Sequence, residues 1–313
     1  MSAGPSRSGR PRVCVVLKRS SWHKWVEEEA DARIAELLEK GDETVQRMRQ
    51  SHADHVETIE EVRRALTELG AEVTWHDQPH EFRIHYGCDL VVVVGGDGTL
   101  LGASHGVGPG VPLLGVNSSP NYSVGFFCGA KKGGARTAIA AALDGTLKRT
   151  ELVRMRVELN GRGVLDRVLN EALFCHVSPA ATSRYILRLM ETDGVLVSEE
   201  EQKSSGIWVG PAAGSTAAQR SAGGRILPLA SNKLQYVVRE PYRPHGEMLS
   251  LTLGIIDCDQ AMTIKSKMRK ACIFLDGDPM AHEVAIGDVV TMRRSNEPLV
   301  VLGLSRNHDA RKR

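Results

Sequence analysis

The chain has 313 residues, 42% of them hydrophobic and 25% charged, with a formal net charge of +2. That balance suits a globular protein that buries a core, and it gives no electrostatic reason to expect a nucleic acid or a membrane surface as partner. No apolar run approaches the roughly 20 residues needed to cross a bilayer, and six cysteines without a C-x-x-C pair read as reduced, mostly buried thiols rather than a zinc site or a disulfide framework.

Residues 1–11 carry Arg, Ser, Gly and Pro without an acid, too short for an amphipathic targeting helix, and are read as a disordered tail. Val13 to Leu17 is a short apolar strand. Residues 22–69 form a helical insertion divided at Gly41-Asp42, whose second half repeats Val56, Ile59, Val62, Leu66 and Leu69 at helical spacing. Gly70 ends it, and Ala71 to Trp75 is the next strand. His76 and His80 have metal-like spacing, but Pro79 between them prevents a shared helical face, so they are expected at the surface.

The stretch from Asp89 to His105 follows. Val91 to Val94 are β-branched and apolar without alternation, as in a strand buried on both faces of a parallel sheet. Gly95-Gly96-Asp97-Gly98-Thr99 then leads into a helix start. A strand, a glycine loop and a helix N-terminus together form an arrangement that holds phosphate on backbone N–H groups. Another buried strand, Val111 to Val116, ends at Asn117 and a loop rich in turn residues and aromatics; an alanine-rich helix covers Gly133 to Leu143. The order predicts a doubly wound α/β domain over residues 12–150.

From residue 151 to 304 the segments are short and alternating: Arg154 to Leu159, Gly163 to Asn170, Tyr185 to Met190, Ile207 to Gly210, Leu234 to Val238, Leu249 to Leu253, Met262 to Lys265, Ala271 to Leu275, Asp288 to Arg293 and Leu299 to Leu304. Asn160-Gly161, Asp193-Gly194, Asp276-Gly277 and Gly287-Asp288 punctuate them as turns. This predicts a mostly-β second domain, followed by a basic tail, residues 305–313.

A carboxylate beside bound phosphate is unfavourable unless it has a task, such as accepting a hydroxyl proton or holding a divalent cation. Asp97 is therefore the candidate catalytic group, with Gly95, Gly96, Gly98 and Thr99 as its phosphate cradle. No G-x-x-x-x-G-K-[ST] and no G-x-G-x-x-G with a following acid occurs, which excludes the common nucleotide loops. Asn170-Glu171 could read a nucleoside or could be ordinary strand-end residues. Gly214-Ser215-Thr216-Ala217-Ala218 could cap a helix or form a small-residue wall for a base. Lys203, Arg184 and Arg220 are candidate cations for phosphoryl charge.

These motifs, with LLGVN, LNEAL, SAGG and FLDG in order, resemble the NAD kinase family over most of the chain. Ser118 to Phe126 departs from the family's usual loop, Ser205-Gly206 stands where Asp-Gly is usual, and Ala218 replaces a Tyr; these departures resemble its mitochondrial-type branch. The resemblance implies an N-terminal α/β domain and a β-sandwich-like C-terminal domain with the active site between them. It implies transfer of the γ-phosphoryl of ATP to the 2′-hydroxyl of the adenosine ribose of NAD or NADH, with Mg²⁺ held through the phosphates rather than by protein ligands. It assigns Asp97 as base, and Phe126, Asn170, Glu171, Ser205, Gly214, Ser215, Thr216, Ala217 and Ala218 to NAD. It also implies a homodimer or higher homo-oligomer. A cytoplasmic location is expected, with mitochondria as the alternative. Competing readings are a lipid kinase sharing GGDGT and an NAD-binding sensor without turnover.

Overall fold

The computed structural model describes residues 9–84, 87–243, 248–277 and 281–304. Most of the expected N-terminal tail, and the expected basic tail from Ser305, lie outside the described residues. The chain divides into two compact units, one running to Thr150 and resumed from Val300, the other spanning Glu151–Leu299.

The first unit is built on a largely parallel sheet. Its strands are β1 (Arg12–Leu17), β2 (Glu72–His76), β3 (Leu90–Gly95), β4 (Pro112–Asn117), β5 (Cys128–Lys131) and β6 (Arg149–Leu152). The order is β2-β1-β3-β4, with β5 also paired to β4. Val91 to Val94 are all buried, as an unalternating strand requires. Val92 and Val94 pack with Val62 and Leu66 of α2 (Gln46–Glu68) and Ile139 of α4 (Ala135–Leu143). The opposite face takes α3 (Asp97–Ser104): a Cβ on Gly115 would lie 2.8 Å from Leu100 Cδ1, so glycine lets that helix seat directly on β4. Helices on both faces make the doubly wound arrangement that the element order predicts.

The insertion differs from two simple helices. A π-helical turn at His23–Glu28, α1 (Ala32–Glu39) and α2 succeed one another. The extra break falls at Ala30, which takes φ 48°, a left-handed conformation that stops a helix as Gly41 does at φ 64°.

The second unit stacks two antiparallel sheets. One runs in the order β11 (Leu196–Ser204), β10 (Ser183–Glu191), β15 (Gln260–Ser266), β18 (Val289–Arg294), β7 (Met155–Leu159), β8 (Arg162–Val168). The other runs β14 (Leu253–Ile256), β13 (Leu234–Arg239), β12 (Gly206–Pro211), β9 (Ala172–His176), β16 (Ala271–Leu275), β17 (His282–Val284). Met155, Leu187, Ile264 and Met292 of the first face Phe174, Ile207, Tyr236 and Ile273 of the second in one core, the β-sandwich-like arrangement expected. Asn160 and Gly161 both have positive φ (51° and 74°), the turn an Asn-Gly hairpin demands.

Two expectations need correction. No strand covers Leu249 to Thr252; the strand begins at Leu253, because Ser250 and Leu251 instead donate their N–H groups to the carboxylate of Glu200. The pattern assigns Leu299 to Leu304 to the β domain, but β19 (Leu299–Leu302) joins the first unit's sheet beside β4, in parallel. Its four residues are all buried, the signature already seen at Val91 to Val94. Strand β11 escapes pattern reading because it is an edge strand, and LVSEEEQKS exposes alternate polar side chains.

Candidate functional site

In the first unit, β3 ends at Gly95, Gly96 takes the N-cap position of α3, and Asp97 is its first residue. Both carboxylate oxygens of Asp97 accept backbone N–H groups: Oδ2 from Phe126 and Oδ1 from Phe127, each at 2.9 Å. The carboxylate thus has a set orientation, and each oxygen keeps lone-pair capacity. The loop that donates these bonds is shaped by Asn117. Its Nδ2 donates to Ser123 O at 2.9 Å and its Oδ1 accepts from Ser119 N at 3.2 Å. Gly125, at φ 62°, completes the turn, and a Cβ there would stand 2.4 Å from Asn117 Nδ2.

The glycines of the loop have different tasks. A Cβ on Gly95 would meet Thr99 Oγ1 at 2.4 Å, and one on Gly96 would meet Ser123 Oγ at 2.4 Å. Both positions serve close packing. Gly98 has open space around it, and with Thr99 it lines a cavity of about 400 Å³ whose other walls include Lys18, Arg19, His80 and Glu81. Lys18 and Arg19 escaped sequence reading. They follow β1, whose C-terminal edge lies beside that of β3, and burial lowers the Lys18 pKa from the ordinary lysine value. His80 is exposed, as expected, but its ring also packs on Gly102 of α3.

The helical insertion braces this edge. His55 of α2 is buried, and its Nε2–H donates to Lys18 O at 2.9 Å, which leaves Nδ1 to accept the Ser118 hydroxyl at 2.9 Å. Burial, assisted by the nearby Lys18 charge, pulls this imidazole down to about 4, so it is neutral at physiological pH. Ser51 Oγ donates to Ser119 Oγ at 3.2 Å, and Ser119 Oγ to Ser51 O at 3.0 Å.

In the second unit, Asn170 and Glu171 stand between β8 and β9. Asn170 Oδ1 and Glu171 Oε2 are buried acceptors without a hydrogen-bond partner, an arrangement that costs free energy until a donor arrives. The backbone here is clamped from two sides. Asp276 Oδ2 accepts from Leu169 N at 2.8 Å, and its Oδ1 accepts from Asn170 N at 2.6 Å and Glu171 N at 3.1 Å. Asp276 N donates back to Glu171 O at 2.9 Å. On the other side, Gly214 lies so close that a Cβ would meet Asn170 O at 1.8 Å, and Gln219 Nε2 donates to Asn170 O at 3.4 Å. Burial first, and the Asp276 charge second, push Glu171 up to about 8.

Behind Asp276 sits Arg154, fully buried, with Nε donating to Glu297 O at 2.5 Å and Nη2 to Pro298 O at 3.3 Å. Burial pulls it down to about 10, Arg167 adds to that, and the carboxylates of Glu297 and Asp276 oppose it.

The remaining predicted residues separate. Ser215 does not cap a helix through its side chain: its buried Oγ donates to Ala212 O at 2.7 Å and accepts from Leu227 N at 3.0 Å. The short helix Ala218–Ser221 starts without a side-chain cap from Thr216 or Ala217. Thr216, Ala217 and Ala218 are half-buried, and Gly214 is buried. Ser205 lines a different cavity, of about 330 Å³, with Thr182, Tyr242 and the cations Arg184 and Lys203, which face each other across β10 and β11. Arg220 is exposed. Phe126 meets Phe127 edge-on, ring centroids 4.9 Å apart.

Residues 11–146 match the model of the ATP-NAD kinase N-terminal domain. Over 234 residues the chain is 35% identical to a probable NADH kinase of Oryza sativa subsp. japonica, covering 70% of this chain and 72% of the relative. It is 32% identical to an NADH kinase of Arabidopsis thaliana over 74% of this chain and 77% of that one. An NAD kinase of Pseudomonas fluorescens (strain SBW25) is 32% identical over 68% and 69%. Among solved structures, an NAD kinase from Archaeoglobus fulgidus in complex with ATP superposes with a TM-score of 0.66 at 19% identity, covering 96% of both chains. The yeast NADH kinase complexed with NADH gives a TM-score of 0.66 at 15% identity, covering 97% of this chain and 86% of that one. The two solved structures share the fold.

Proposed function

The chain belongs to the NAD kinase family and is a kinase acting on NAD or NADH; we propose that it transfers the γ-phosphoryl of ATP to the 2′-hydroxyl of the adenosine ribose, with Asp97 receiving the hydroxyl proton. The observation that carries this reading is the hold on Asp97. Two N–H groups from consecutive residues fix both carboxylate oxygens at the start of a helix, next to a cavity with cationic walls. Phosphoryl transfer demands mainly positioning and charge neutralisation, and a fixed carboxylate serves the first.

Gly98 and Thr99 accept the phosphates of ATP, with the dipole of α3 and the charges of Lys18 and Arg19 offsetting theirs. Asn170 Oδ1 and Glu171 Oε2 receive donors of the dinucleotide's adenosine, which supplies the partners these buried acceptors lack. Gly214 to Ala218 and Phe126 contribute packing near the base. A divalent cation fits the Asp97 carboxylate and the phosphates together. Among the described residues no three His, Cys, Asp or Glu side chains converge for a metal, so most of its ligands come from nucleotide and water. Mg²⁺ would neutralise phosphate charge during the transfer.

The similarity to plant NADH kinases supports NADH as well as NAD as acceptor. The test is incubation with Mg²⁺-ATP and either NAD or NADH, with NADP and NADPH as readouts. Formation of NADP or NADPH supports the reading; phosphorylation at another position, seen by ³¹P NMR of the product, overturns the 2′ assignment.

A further inference from the structure

Four of the six cysteines stand in two contacting pairs, and the pairs differ in access. Cys175 and Cys272 face each other across β9 and β16, both buried, with Cys272 Sγ 3.9 Å from Cys175 O. Burial raises both thiols above their ordinary value, which leaves them protonated and inert.

Cys14 on β1 and Cys88, two residues before β3, are each half-buried and line one open cavity of about 300 Å³ together with Arg12, Thr74 and Gly87. The Cys88 sulfur is in hydrogen-bond contact with both the thiol and the backbone N–H of Cys14, and it lies 3.1 Å from Leu90 O. The Arg12 guanidinium packs on Gly87, where a Cβ would meet Arg12 Nη1 at 2.2 Å, so a cation sits beside Cys88 in sequence and in space. The hydrogen bond from Cys14 lowers the Cys88 thiol below its ordinary value and outweighs burial and the Asp89 charge, whereas the Cys14 thiol is raised. A sulfur favoured as thiolate thus touches a protonated thiol in a cavity open to solvent.

We propose that Cys88 is the residue at which a hydroperoxide oxidises this protein, and that Cys14 resolves the product into a Cys14–Cys88 disulfide. The Cys88 thiolate attacks the peroxide oxygen: an S–O bond forms, the O–O bond breaks, and the departing alkoxide or hydroxide takes up the proton Cys88 gave up. The Cys14 sulfur then attacks the sulfenic sulfur: the S–S bond forms, the S–O bond breaks, and the hydroxide leaves with the Cys14 proton as water. The sulfur pair loses two electrons and the peroxide gains them. Thiols already in contact need little backbone movement to reach bonding geometry.

Alkylation of the whole protein by iodoacetamide, followed by peptide mass spectrometry, is expected to label Cys88 at least about tenfold faster than the exposed Cys258. After hydrogen peroxide, the Cys14 and Cys88 peptides are expected as a crosslink, with Cys175 and Cys272 still alkylated after unfolding. In Cys14→Ser, a dione that traps sulfenic acid should add to Cys88; in Cys88→Ser neither crosslink nor adduct should form at residue 14. Labelling of Cys88 no faster than Cys258, a crosslink at Cys175–Cys272 instead, or a sulfenic adduct on Cys14 would each overturn the proposal. The wild-type labelling rates decide it even where a serine variant fails to fold.

Discussion

The backbone N–H of Asn170 lies 2.6 Å from the carboxylate of Asp276, although 106 residues separate them. Asp276 adopts φ 50° and, with Gly277 at φ 73°, turns the chain so that this carboxylate reaches three successive N–H groups. Asp276→Ala removes all three acceptors and puts alanine in a left-handed conformation. It should raise the KM for the dinucleotide at least about tenfold and lower the Tm, each lost buried bond costing about 1–3 kcal/mol. Asp276→Asn keeps one oxygen and tolerates the same φ, so its effect on KM should be smaller. Steady-state kinetics against both substrates checks this; equal effects on the KM for ATP would place the clamp outside dinucleotide recognition.

Asp97→Asn should keep dinucleotide binding but cut turnover by at least about a hundredfold, the scale for losing a general base. The asparagine amide would also confront one of the two N–H groups of Phe126 and Phe127, so a modest loss of Tm should accompany it. A variant that keeps most of its rate refutes the role of Asp97 as base.

Asn170→Ala deletes an unpartnered buried acceptor, so it should raise the KM for NAD more than that for ATP with little loss of stability. Parallel titrations of the two substrates are the measurement.

Glu171 makes stability depend on pH. Its folded-state value of about 8 lies above the ordinary 4.5, so the unfolded chain releases this proton first as pH rises. The contribution of Glu171 is intact below about 4.5 and is lost as pH climbs through 8. Glu171→Gln cannot ionise, so its melting temperature should fall less than wild type across that window, measured without ligand.

Lys18→Met should raise the KM for ATP, and the difference from wild type should shrink with added salt because the contribution is electrostatic. A salt-independent difference would assign Lys18 to packing instead.

Much of this protein is legible in its local pattern. Four consecutive valines announce a strand buried on two faces, alternating segments announce a sandwich, and Asn160-Gly161 or Asp276-Gly277 announce turns, because each depends on residues adjacent in the chain. The phosphate-friendly loop around Asp97 is legible for the same reason. The partners of Asp97, Asn170 and Glu171 are not. Phe126 and Phe127 donate from 29 and 30 residues away, Asp276 accepts from 105 to 107 away, and Arg154 reaches carbonyls 143 and 144 away. The pairing of Cys14 with Cys88, and the return of Leu299–Leu302 to the first sheet, are of the same kind. Local composition decides which backbone conformations are cheap. Only the tertiary structure decides which buried donor meets which acceptor, because that choice is made by burial, where each unpaired polar group costs free energy and sequence distance costs little.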